Sequence, residues 1–562
     1  MKQTGGVTVR NPSSFQQHPR FSEASPPEHP DPHRSSQALT DYPALFPLAR
    51  SFARQWTLYV GPTNSGKTHA ALEHLRNASC GVYLGPLRLM ALENADALIE
   101  AGIPCNLRTG EEHRECVGAH HVASTIEMAD LSKVVDVAVV DEAQLLLDPD
   151  RGWAWTQALV GLPAGHLVLT GSPECEPAVR ALAERLGEQL TVVTLDRKSP
   201  LVAARAPVKL RDLRAGDALV VFSRRAALDW RAVLIERGWS VATLYGALGP
   251  EVRRSEARRF REGKAQILVA TDAIGMGLNL PIHRVVFAEA EKYDGTSMRP
   301  LKPSEWRQVG GRAGRYGVSQ RGEVGVLTTT RATALRELQQ AIERSPKARS
   351  GAPSPFVWLP WSAMARFEAD MRKPGLAPLM VHAYTQALDP ALWRAPDLNA
   401  LLPLAHALDQ TELPMPLRYR YLGCPVDEEH QALFTAVSYW ATAHGSGKQV
   451  PWGEHSHAPL ALSELTLAHE ERMASLAGAY LWLAQRWPKV YVDAQRARHR
   501  QIKANAVIED ILAREGEKLC AQCGEALPRR QQGRVCKDCR RAHSSSRGHG
   551  QRHRPTALEL MD

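Results

Sequence analysis

The segment GPTNSGKT, residues 61–68, limits what this chain can fold into more than any other stretch. It has the spacing G-x-x-x-x-G-K-[ST] and lies between an apolar, strand-like run at 56–60 and a helix-like run at 69–75. In such a strand-turn-helix unit, backbone N–H groups and the helix N-terminus bind a β-phosphate, the lysine neutralises phosphate charge, and the threonine hydroxyl reaches Mg²⁺. The candidate nucleotide-binding residues here are Gly61, Pro62, Thr63, Asn64, Ser65, Gly66, Lys67 and Thr68.

Short β-branched runs alternate with helical stretches from about residue 51, which is typical of a parallel α/β sheet. The alternation restarts after the junction 198–200, so two sheets are expected, and a chain of 562 residues exceeds the ~250–300 residues of a single core. We therefore predict an α/β fold with two tandem parallel-sheet domains, followed by a helical domain and a small ribbon. The expected boundaries are a disordered leader at 1–50, α/β domains at 51–199 and 200–347, a helical domain at 355–514, a four-cysteine ribbon at 516–542 and a basic disordered tail at 543–562.

The expected helical domain carries an apolar stripe at the 3,4 spacing of a buried helix face. Its members are Met473, Leu476, Tyr480, Leu483 and Trp487. The tryptophans of this region could stack on bases, but core packing is favoured because they lie in apolar stretches. They are Trp358, Trp361, Trp482 and Trp487.

The composition indicates a class of binding partner and a cellular compartment. The net charge of +9 favours a polyanionic partner, and nine cysteines in a chain of this size indicate a reducing compartment rather than a disulfide scaffold. No run approaches the ~18 apolar residues of a membrane span, so a soluble intracellular protein without a membrane partner is expected. Residues 1–22 lack acids, as in a mitochondrial presequence, but Gly5-Gly6, Pro12 and Pro19 would break its amphipathic helix.

The segment VAVVDEAQ, residues 137–144, brings two carboxylates to the end of an apolar strand. Asp141 is suited to hold Mg²⁺ together with Thr68, and Glu142 to orient and deprotonate an attacking water. A kinase would instead need an acceptor site and protection from water, so the pair favours hydrolysis. Lys67, Asp141 and Glu142 are therefore candidate catalytic residues.

A further catalytic group is expected from the second sheet, within QVGGRAGR at 308–315. Arg312 and Arg315 lie three residues apart on a glycine-rich turn, from which they can reach a γ-phosphate held by the first domain. Because the catalytic set is then divided between two domains, domain closure can control hydrolysis and couple it to movement along a bound strand.

The wording of these segments resembles one helicase family. GPTNSGKT, VVDEAQ, ATDAIGMGLNLPIHRVVF and QVGGRAGRYG are similar to the Suv-three-like RNA helicases of superfamily two, found in the mitochondrial degradosome and in bacterial relatives, and the likeness covers about residues 57–320. The resemblance implies two RecA-like domains, ATP with Mg²⁺, and three further residue sets. These are Gln308, Arg312, Arg315, Asp272 and Gly277 at the nucleotide; Gln144, Thr170 and Ser172 in coupling; and Arg88, Thr125 and Thr271 on nucleic-acid phosphates.

Four cysteines near the C-terminus have the spacing of a structural zinc site. Two C-x₂-C pairs, Cys520 with Cys523 and Cys536 with Cys539, are separated by twelve residues, and no histidine or acid is placed to leave a catalytic position open. The surrounding segment 520–554 has a net charge of +7, which favours salt-dependent binding to phosphates, the alternative being a solvated tail. The ribbon is also why a bacterial cytoplasmic origin is favoured, with the mitochondrial matrix as the alternative.

These observations favour an NTP-driven helicase that moves on single-stranded or 3′-tailed RNA. The resemblance implies 3′-to-5′ unwinding and RNA turnover, beside a 3′ exonuclease such as polynucleotide phosphorylase. The alternatives are a DNA helicase of repair or recombination and a non-catalytic nucleic-acid scaffold. No clear adenine-reading element precedes the phosphate loop, so hydrolysis of several NTPs is expected.

Overall fold

The computed structural model describes residues 41–275, 280–294, 297–314, 321–343, 352–426, 431–453, 467–513, 518–520, 522–523, 525–527 and 535–540. Most of the predicted leader, the predicted basic tail, and the candidates Gly277 and Arg315 lie outside these ranges.

The end of the predicted leader is structured, which differs from the expected boundary at residue 50. A 3₁₀ helix forms at Tyr42–Leu45 and helix α1 at Pro47–Arg50. Tyr42 is fully buried, packs against Trp393 and donates its hydroxyl to the carbonyl of Trp358 at 3.3 Å. One buried aromatic residue thus fixes a segment whose proline content predicts disorder.

The first domain is an eight-stranded sheet covered by helices. Its strands are β1 (Gln55–Val60), β2 (Gly81–Gly85), β3 (Cys105–Arg108), β4 (His113–Arg114), β5 (His121–Thr125), β6 (Val135–Val140), β7 (Ala164–Gly171) and β8 (Gln189–Thr194). Its longer helices are α2 (Lys67–Arg76), α3 (Arg88–Glu100), α4 (Gly152–Gly161) and α5 (Glu176–Arg185). The strand order is β4-β3-β5-β2-β6-β7-β1-β8, and only the β3-β4 pair is antiparallel.

Three neighbouring strands of this sheet, β6, β7 and β1, run parallel and end at the same edge. The phosphate loop follows β1, Asp141 follows β6, and Thr170 lies next to the end of β7. Ligands of open α/β sheets bind at the carboxyl ends of the strands. The strand order alone therefore places the candidate site residues of the first domain at one edge of the sheet.

The second domain is a six-stranded parallel sheet with order β11-β12-β10-β13-β16-β9. These strands are β9 (Leu201–Ala203), β10 (Asp217–Val220), β11 (Val241–Leu244), β12 (Ile267–Ala270), β13 (Arg284–Phe287) and β16 (Gly322–Val326), and β14 (Glu291–Tyr293) with β15 (Met298–Pro300) forms a separate hairpin. Its helices are α6 (Arg224–Glu236), α7 (Pro250–Arg261), α8 (Pro303–Gly310) and α9 (Ala334–Glu343). The predicted pair of parallel sheets is confirmed.

The next part of the chain is helical, as predicted. The helices are α10 (Trp361–Asp370), α11 (Leu376–Ala387), α12 (Leu398–Asp409), α13 (Met415–Tyr421), α14 (Gln431–Gly445), α15 (Leu467–Arg486) and α16 (Ala494–Ala513). The stripe residues of α15, from Met473 to Leu483, are buried, and Trp482 is buried beneath the Arg486 guanidinium. The other three tryptophans pack against the same core, so packing is their observed use. Among the helices within the described ranges, none is long and apolar enough to cross a membrane.

The four-cysteine segment forms a small hairpin of β17 (Lys518–Leu519) and β18 (Ala526–Leu527). It contacts two parts of the molecule: the N–H of Ala468 in α15 donates to the carbonyl of Cys523 at 3.0 Å, and Arg224 in α6 donates to the carbonyl of Gln522 at 3.2 Å. Arg224 also donates to the carboxylate of Glu471 at 2.8 Å. The ribbon therefore docks on the second domain and on the helical domain at once.

Candidate active site

The phosphate loop has the backbone that its glycines and Asn64 permit. Gly66 has φ +91° and Asn64 has φ +64°, both in the left-handed region, and α2 begins directly after Gly66. The Lys67 ammonium donates to the carbonyls of Gly61 and Pro62, each at 2.9 Å. Burial lowers the pKa of Lys67, while Glu142 and Asp141 oppose that shift. Within the described structure the buried Ser65 hydroxyl has no hydrogen-bond partner, as a group awaiting a ligand would.

Asp141 lies at the centre of the first domain's polar groups. The Thr68 hydroxyl is 3.4 Å from both carboxylate oxygens, the Tyr83 hydroxyl donates to Oδ2 at 2.8 Å, and the Thr170 hydroxyl donates to Oδ1. The N–H of Glu142 donates to Oδ1 at 3.1 Å. Burial raises the pKa of Asp141, the charge of Glu142 adds to the rise, and the hydroxyl donors oppose it. Thr68 and Asp141 thus offer oxygen ligands of the kind that Mg²⁺ prefers, in a site that favours added positive charge.

The coupling candidates form one hydrogen-bonded chain from the Glu142 carboxylate to the end of β7. Glu142 has φ +57°, which turns its side chain out of the strand direction. The Gln144 amide nitrogen donates to the Glu142 carboxylate, and the Gln144 amide oxygen accepts from the N–H of Ser172 at 3.1 Å. A shift of the 170–172 turn would therefore move the carboxylate predicted to activate water.

Arg312 brings a cation from the second domain into this site. Its Nη2 donates to the carbonyl of Gly275, and its buried Nε has no partner among the described residues. Burial lowers the pKa of Arg312, while the charges of Glu142 and Asp141 raise it, so the guanidinium lies within electrostatic reach of both carboxylates. Gln308 is exposed on α8, on the side of Gly275. Arg312 of the second domain thus lies near two carboxylates of the first, and its catalytic role stays a prediction.

Two bridges between the domains were missed from the sequence. Arg197 donates to carbonyls of the phosphate loop and of the turn that carries Arg312. Arg307 of α8 pairs at 2.9 Å with Glu174, beside the coupling turn. Burial alone would raise the pKa of Glu174. Hydrogen bonds, including the one from Arg307, outweigh burial, so the pKa of Glu174 is lowered. Arg197 and Arg307 lie outside the segments that have a motif spacing. The one sequence signal for Arg197 is its position just before the domain junction.

Three family models match consecutive parts of the chain. They are the DEXQ-box helicase domain of Suv3 at residues 43–195, a helicase conserved C-terminal domain at 205–317 and the ATP-dependent RNA helicase SUV3 C-terminal domain at 471–514. The mitochondrial DExH-box ATP-dependent RNA helicase DExH16 of Arabidopsis thaliana is 33% identical, over 84% of this chain and 83% of its own length. This chain belongs to the SUV3 family of ATP-dependent RNA helicases.

Another curated relative has the same family name, and a solved structure resembles part of this chain. Mitochondrial SUV3 of Saccharomyces cerevisiae is 31% identical to this SUV3-family chain, over 85% of this chain and 67% of its own length. Among solved structures, S. cerevisiae Dbp5 bound to RNA and ADP BeF3 aligns with a TM-score of 0.42 and 19% identity, over 54% of this chain and 88% of that one. The family prediction is confirmed, and with it the prediction of an ATP-dependent helicase. The family models end at residue 514, before the four-cysteine ribbon.

The nucleic-acid candidates lie at the same edges of the sheets as the nucleotide site. Arg88 begins α3 just after β2, Thr125 is the last residue of β5, and Thr271 follows β12. Both threonines are buried. Arg88 is ion-paired with Glu111 of its own domain at 2.8 Å and lies 3.7 Å from Glu251 of the second domain. A phosphate reaching Arg88 would therefore compete with two carboxylates.

Asp272, predicted to act at the nucleotide, makes a different contact. Its carboxylate accepts from the Lys292 ammonium at 3.0 Å, and Lys292 also lies 3.4 Å from Glu305. Asp272 therefore anchors the β14-β15 hairpin beside α8 in the described structure.

The four cysteines of the ribbon converge. Their sulfur atoms all lie within 4.8 Å of one another, and the Cys523 and Cys536 sulfurs are 3.7 Å apart. Tetrahedral thiolates around zinc, with Zn–S bonds of about 2.3 Å, would be about 3.8 Å apart. The N–H of Cys536 donates to the Cys520 sulfur at 3.2 Å, a contact that stabilises thiolate charge. The residues present therefore fit a tetrahedral Cys₄ metal site.

Proposed function

We propose that this SUV3-family chain uses ATP hydrolysis to move along single-stranded RNA and to separate the duplex ahead of it, in the 3′-to-5′ direction. The observation that carries the proposal is that the turn bearing Arg312 in the second domain is joined to the phosphate loop of the first, with Arg312 within electrostatic reach of Asp141 and Glu142. A site completed only by two domains hydrolyses its nucleotide when they close. Opening and closing can therefore drive steps along a strand bound across both domains.

The residues act on ATP as follows. The N–H groups of residues 61–66 bind the β-phosphate, and the Lys67 ammonium leaves its two carbonyl acceptors for the β- and γ-phosphates. Glu142 orients the attacking water and accepts its proton, while Arg312 stabilises the charge that develops on the γ-phosphate oxygens. Mg²⁺, when bound through Thr68 and Asp141, supplies positive charge to the same phosphates. After hydrolysis, the Gln144 bridge passes the change at Glu142 to the 170–172 turn.

The first test is the steady-state ATPase rate with and without single-stranded RNA or DNA of equal length. We expect stimulation by RNA in the wild type and at least a ~10²-fold lower rate in Glu142→Gln, since removal of a general base costs about that much. Equal or greater stimulation by DNA would move the protein to the DNA-helicase alternative. No stimulation by either would contradict a motor function.

Direction is tested with duplexes that carry a single-stranded RNA tail on one side only. Unwinding of the 3′-tailed duplex, with none of the 5′-tailed or blunt duplex, is the expected result. Unwinding of the 5′-tailed duplex alone would reverse the proposed direction. Glu142→Gln serves as the control, because it keeps the strand-binding surface and removes the proposed base.

The ribbon is proposed to hold a structural Zn²⁺ and to add affinity for RNA phosphates. Support comes from the converging sulfurs and from the charge of +7 over residues 520–554. We expect about one zinc per chain by elemental analysis, lost in Cys523→Ser but kept in Cys116→Ser, whose cysteine lies outside the cluster. Truncation after Glu515 is expected to weaken RNA binding and its salt dependence. Unchanged affinity and salt slope would leave the ribbon a purely structural role.

A role in RNA turnover is proposed because a 3′-to-5′ helicase delivers single-stranded 3′ ends. The enzyme that consumes such ends is a 3′ exonuclease, of which polynucleotide phosphorylase is an example. Degradation of a structured, 3′-tailed RNA by that enzyme should require this helicase and ATP. Equal degradation with Glu142→Gln would argue against cooperation.

The compartment has two candidates. The relatives above are named mitochondrial, which supports the matrix alternative over the bacterial cytoplasm. Residues 1–50 fused to a fluorescent reporter test this directly. Uptake by isolated mitochondria supports the matrix, and exclusion supports the cytoplasmic alternative.

A further inference from the structure

Arg197 lies in the segment that joins the two sheets, between β8 and β9. Among the described residues, the acceptors of its guanidinium are main-chain carbonyls. Nε donates to Ser199 at 2.6 Å, and Nη1 donates to Thr63 and to Gly311, each at 2.7 Å. Nη2 donates to the carbonyl of Ala313. One side chain thus holds the linker, the phosphate loop and the second domain together.

The described contacts of this arginine are hydrogen bonds to carbonyls, without an ion pair among them. Burial and the neighbouring Arg312 lower the pKa of Arg197 to about 10, and no described carboxylate contributes to that shift. The guanidinium still carries its charge at neutral pH. Since an arginine fork binds several acceptors in a fixed plane, the contact sets geometry more than it neutralises charge.

The carbonyls it binds in the second domain flank Arg312. Gly311 precedes that residue and Ala313 follows it, so one guanidinium holds the peptide unit directly before Arg312 and the Ala313–Gly314 unit one residue beyond it. Each peptide unit is planar, and fixing these two units therefore restricts where the Arg312 side chain leaves the backbone. Arg312 is the arginine that the second domain supplies to the site.

The carbonyl it binds in the first domain belongs to the phosphate loop. In a trans peptide the N–H points opposite to the carbonyl, so drawing the Thr63 carbonyl toward Arg197 turns the N–H of Asn64 the other way. The Asn64 side chain reinforces the same junction by donating to the carbonyl of Gly311 at 3.2 Å. The loop and the Arg312 turn are thereby fixed relative to each other.

We propose that Arg197 is a positioning residue for ATP hydrolysis, which sets the placement of Arg312 against the phosphate loop through their backbones. The inference rests on the nucleotide site of the proposed function and deepens it. When the domains separate, Arg197 keeps its local bond to Ser199 and releases the carbonyls of Thr63, Gly311 and Ala313. When they close, a single side chain restores the alignment of Arg312.

The test is the basal ATPase rate, without RNA, of Arg197→Lys. Lysine keeps the charge but cannot hold three carbonyls in one plane. Because a misplacement of about 1 Å can cost ~10²-fold in rate, kcat should fall about 10- to 100-fold, while KM for ATP stays within about twofold. The matched control is Arg185→Lys, since Arg185 also donates to a carbonyl, that of Leu392 at 2.8 Å, away from the nucleotide site. Its kcat should not change.

A double-mutant cycle separates positioning from a general structural effect. If Arg197 acts through Arg312, then Arg197→Lys should lower kcat less than about twofold in an Arg312→Lys background. The proposal would be overturned if the double variant lost kcat by the product of the two single-variant factors. A wild-type kcat in Arg197→Lys alone would also overturn it. If Arg197→Lys lowers the melting temperature markedly, the variant to assay is Arg197→Ala, with and without free guanidinium in solution. We then expect guanidinium to raise kcat at least fivefold, and an unchanged kcat would overturn the proposal.

The two proposals fail in different ways. Loss of RNA stimulation in the wild type would remove the motor but leave the basal ATPase for this test. A normal kcat in Arg197→Lys, with RNA stimulation intact, would remove only the positioning role.

Discussion

The hydroxyl of Tyr83 gives a sharp test of the electrostatics at Asp141. Tyr83 is fully buried and donates to Oδ2 of Asp141 at 2.8 Å. Burial raises the pKa of Tyr83 well above its usual value, so it remains a donor at every relevant pH. In Tyr83→Phe the ring still fills its place, but the ionised form of Asp141 loses one donor.

The size of the effect follows from the hydrogen bond. A bond to a charged acceptor is worth about 1.5–3 kcal/mol, and the protonated acid loses less than the carboxylate does. A net preference of about 1.4 kcal/mol corresponds to one pKa unit. Since burial already raises the pKa of Asp141, removing a donor to its charged form raises that pKa further, by about one unit.

The assay is the pH profile of basal kcat/KM for ATP with Mg²⁺, which reports groups of the free enzyme. In the proposed mechanism ionised Asp141 holds Mg²⁺, so activity should fall as the pH drops through the pKa of Asp141, which burial raises above the ordinary aspartate value of about 4. In Tyr83→Phe this acid limb should move about one unit to higher pH, with near wild-type activity on the alkaline side. Tyr59→Phe is the matched control, because the Tyr59 hydroxyl bonds to His74 at 2.8 Å on the same sheet. An unmoved acid limb, or a loss equal at every pH, would refute the reasoning.

Three further outcomes are expected. Asp217→Asn should destabilise the second domain by about 3–5 kcal/mol in denaturant unfolding. The reason is that the largely buried Arg284 guanidinium, 2.5 Å from the Asp217 carboxylate, loses its charge partner. A loss of stability below ~1 kcal/mol would contradict this. Glu174→Gln should lower RNA-stimulated kcat about two- to fivefold without changing nucleotide affinity, because the partly exposed pair with Arg307 joins the domains only when they close; an unchanged kcat would mean that the pair plays no part in closure. In a nucleotide panel, the four common NTPs should be hydrolysed at rates within about tenfold, and a sharp preference for ATP would reveal a base-reading element that the sequence does not show.

The parts of the site that the sequence predicted are those with local causes. The phosphate loop needs a left-handed Gly66 before a helix, and the carboxylates need a strand that ends just before Asp141. Both requirements are met within a few residues of chain. The gathering of these segments follows from parallel strand order. Local chemistry and one topological rule therefore account for most of the first domain's site.

The parts that the sequence did not predict depend on contacts between distant segments. Arg197 has no motif of its own, and its meaning comes from carbonyls more than a hundred residues away in the chain. Tyr42 is fixed by aromatic residues of the helical domain, so composition alone predicted disorder there. The pair of Asp272 with Lys292 likewise joins two segments without a shared motif, and the nucleotide role of Asp272 stays a prediction. Pairings of this kind are properties of the fold and leave no periodic pattern.

The docking of the ribbon has a consequence for synthesis on the ribosome. Arg224 is made 298 residues before Gln522, whose carbonyl it binds, and 247 residues before Glu471. At about 5–20 residues per second, the interval before Gln522 emerges is on the order of 15–60 s. The second sheet can fold during that interval, but its Arg224 guanidinium has neither acceptor until Glu471 is made, and it has only Glu471 while the last 51 of the 298 residues are added. The ribbon, which is synthesised after the second domain and after α15, therefore completes a junction whose arginine has been in place since the second domain folded.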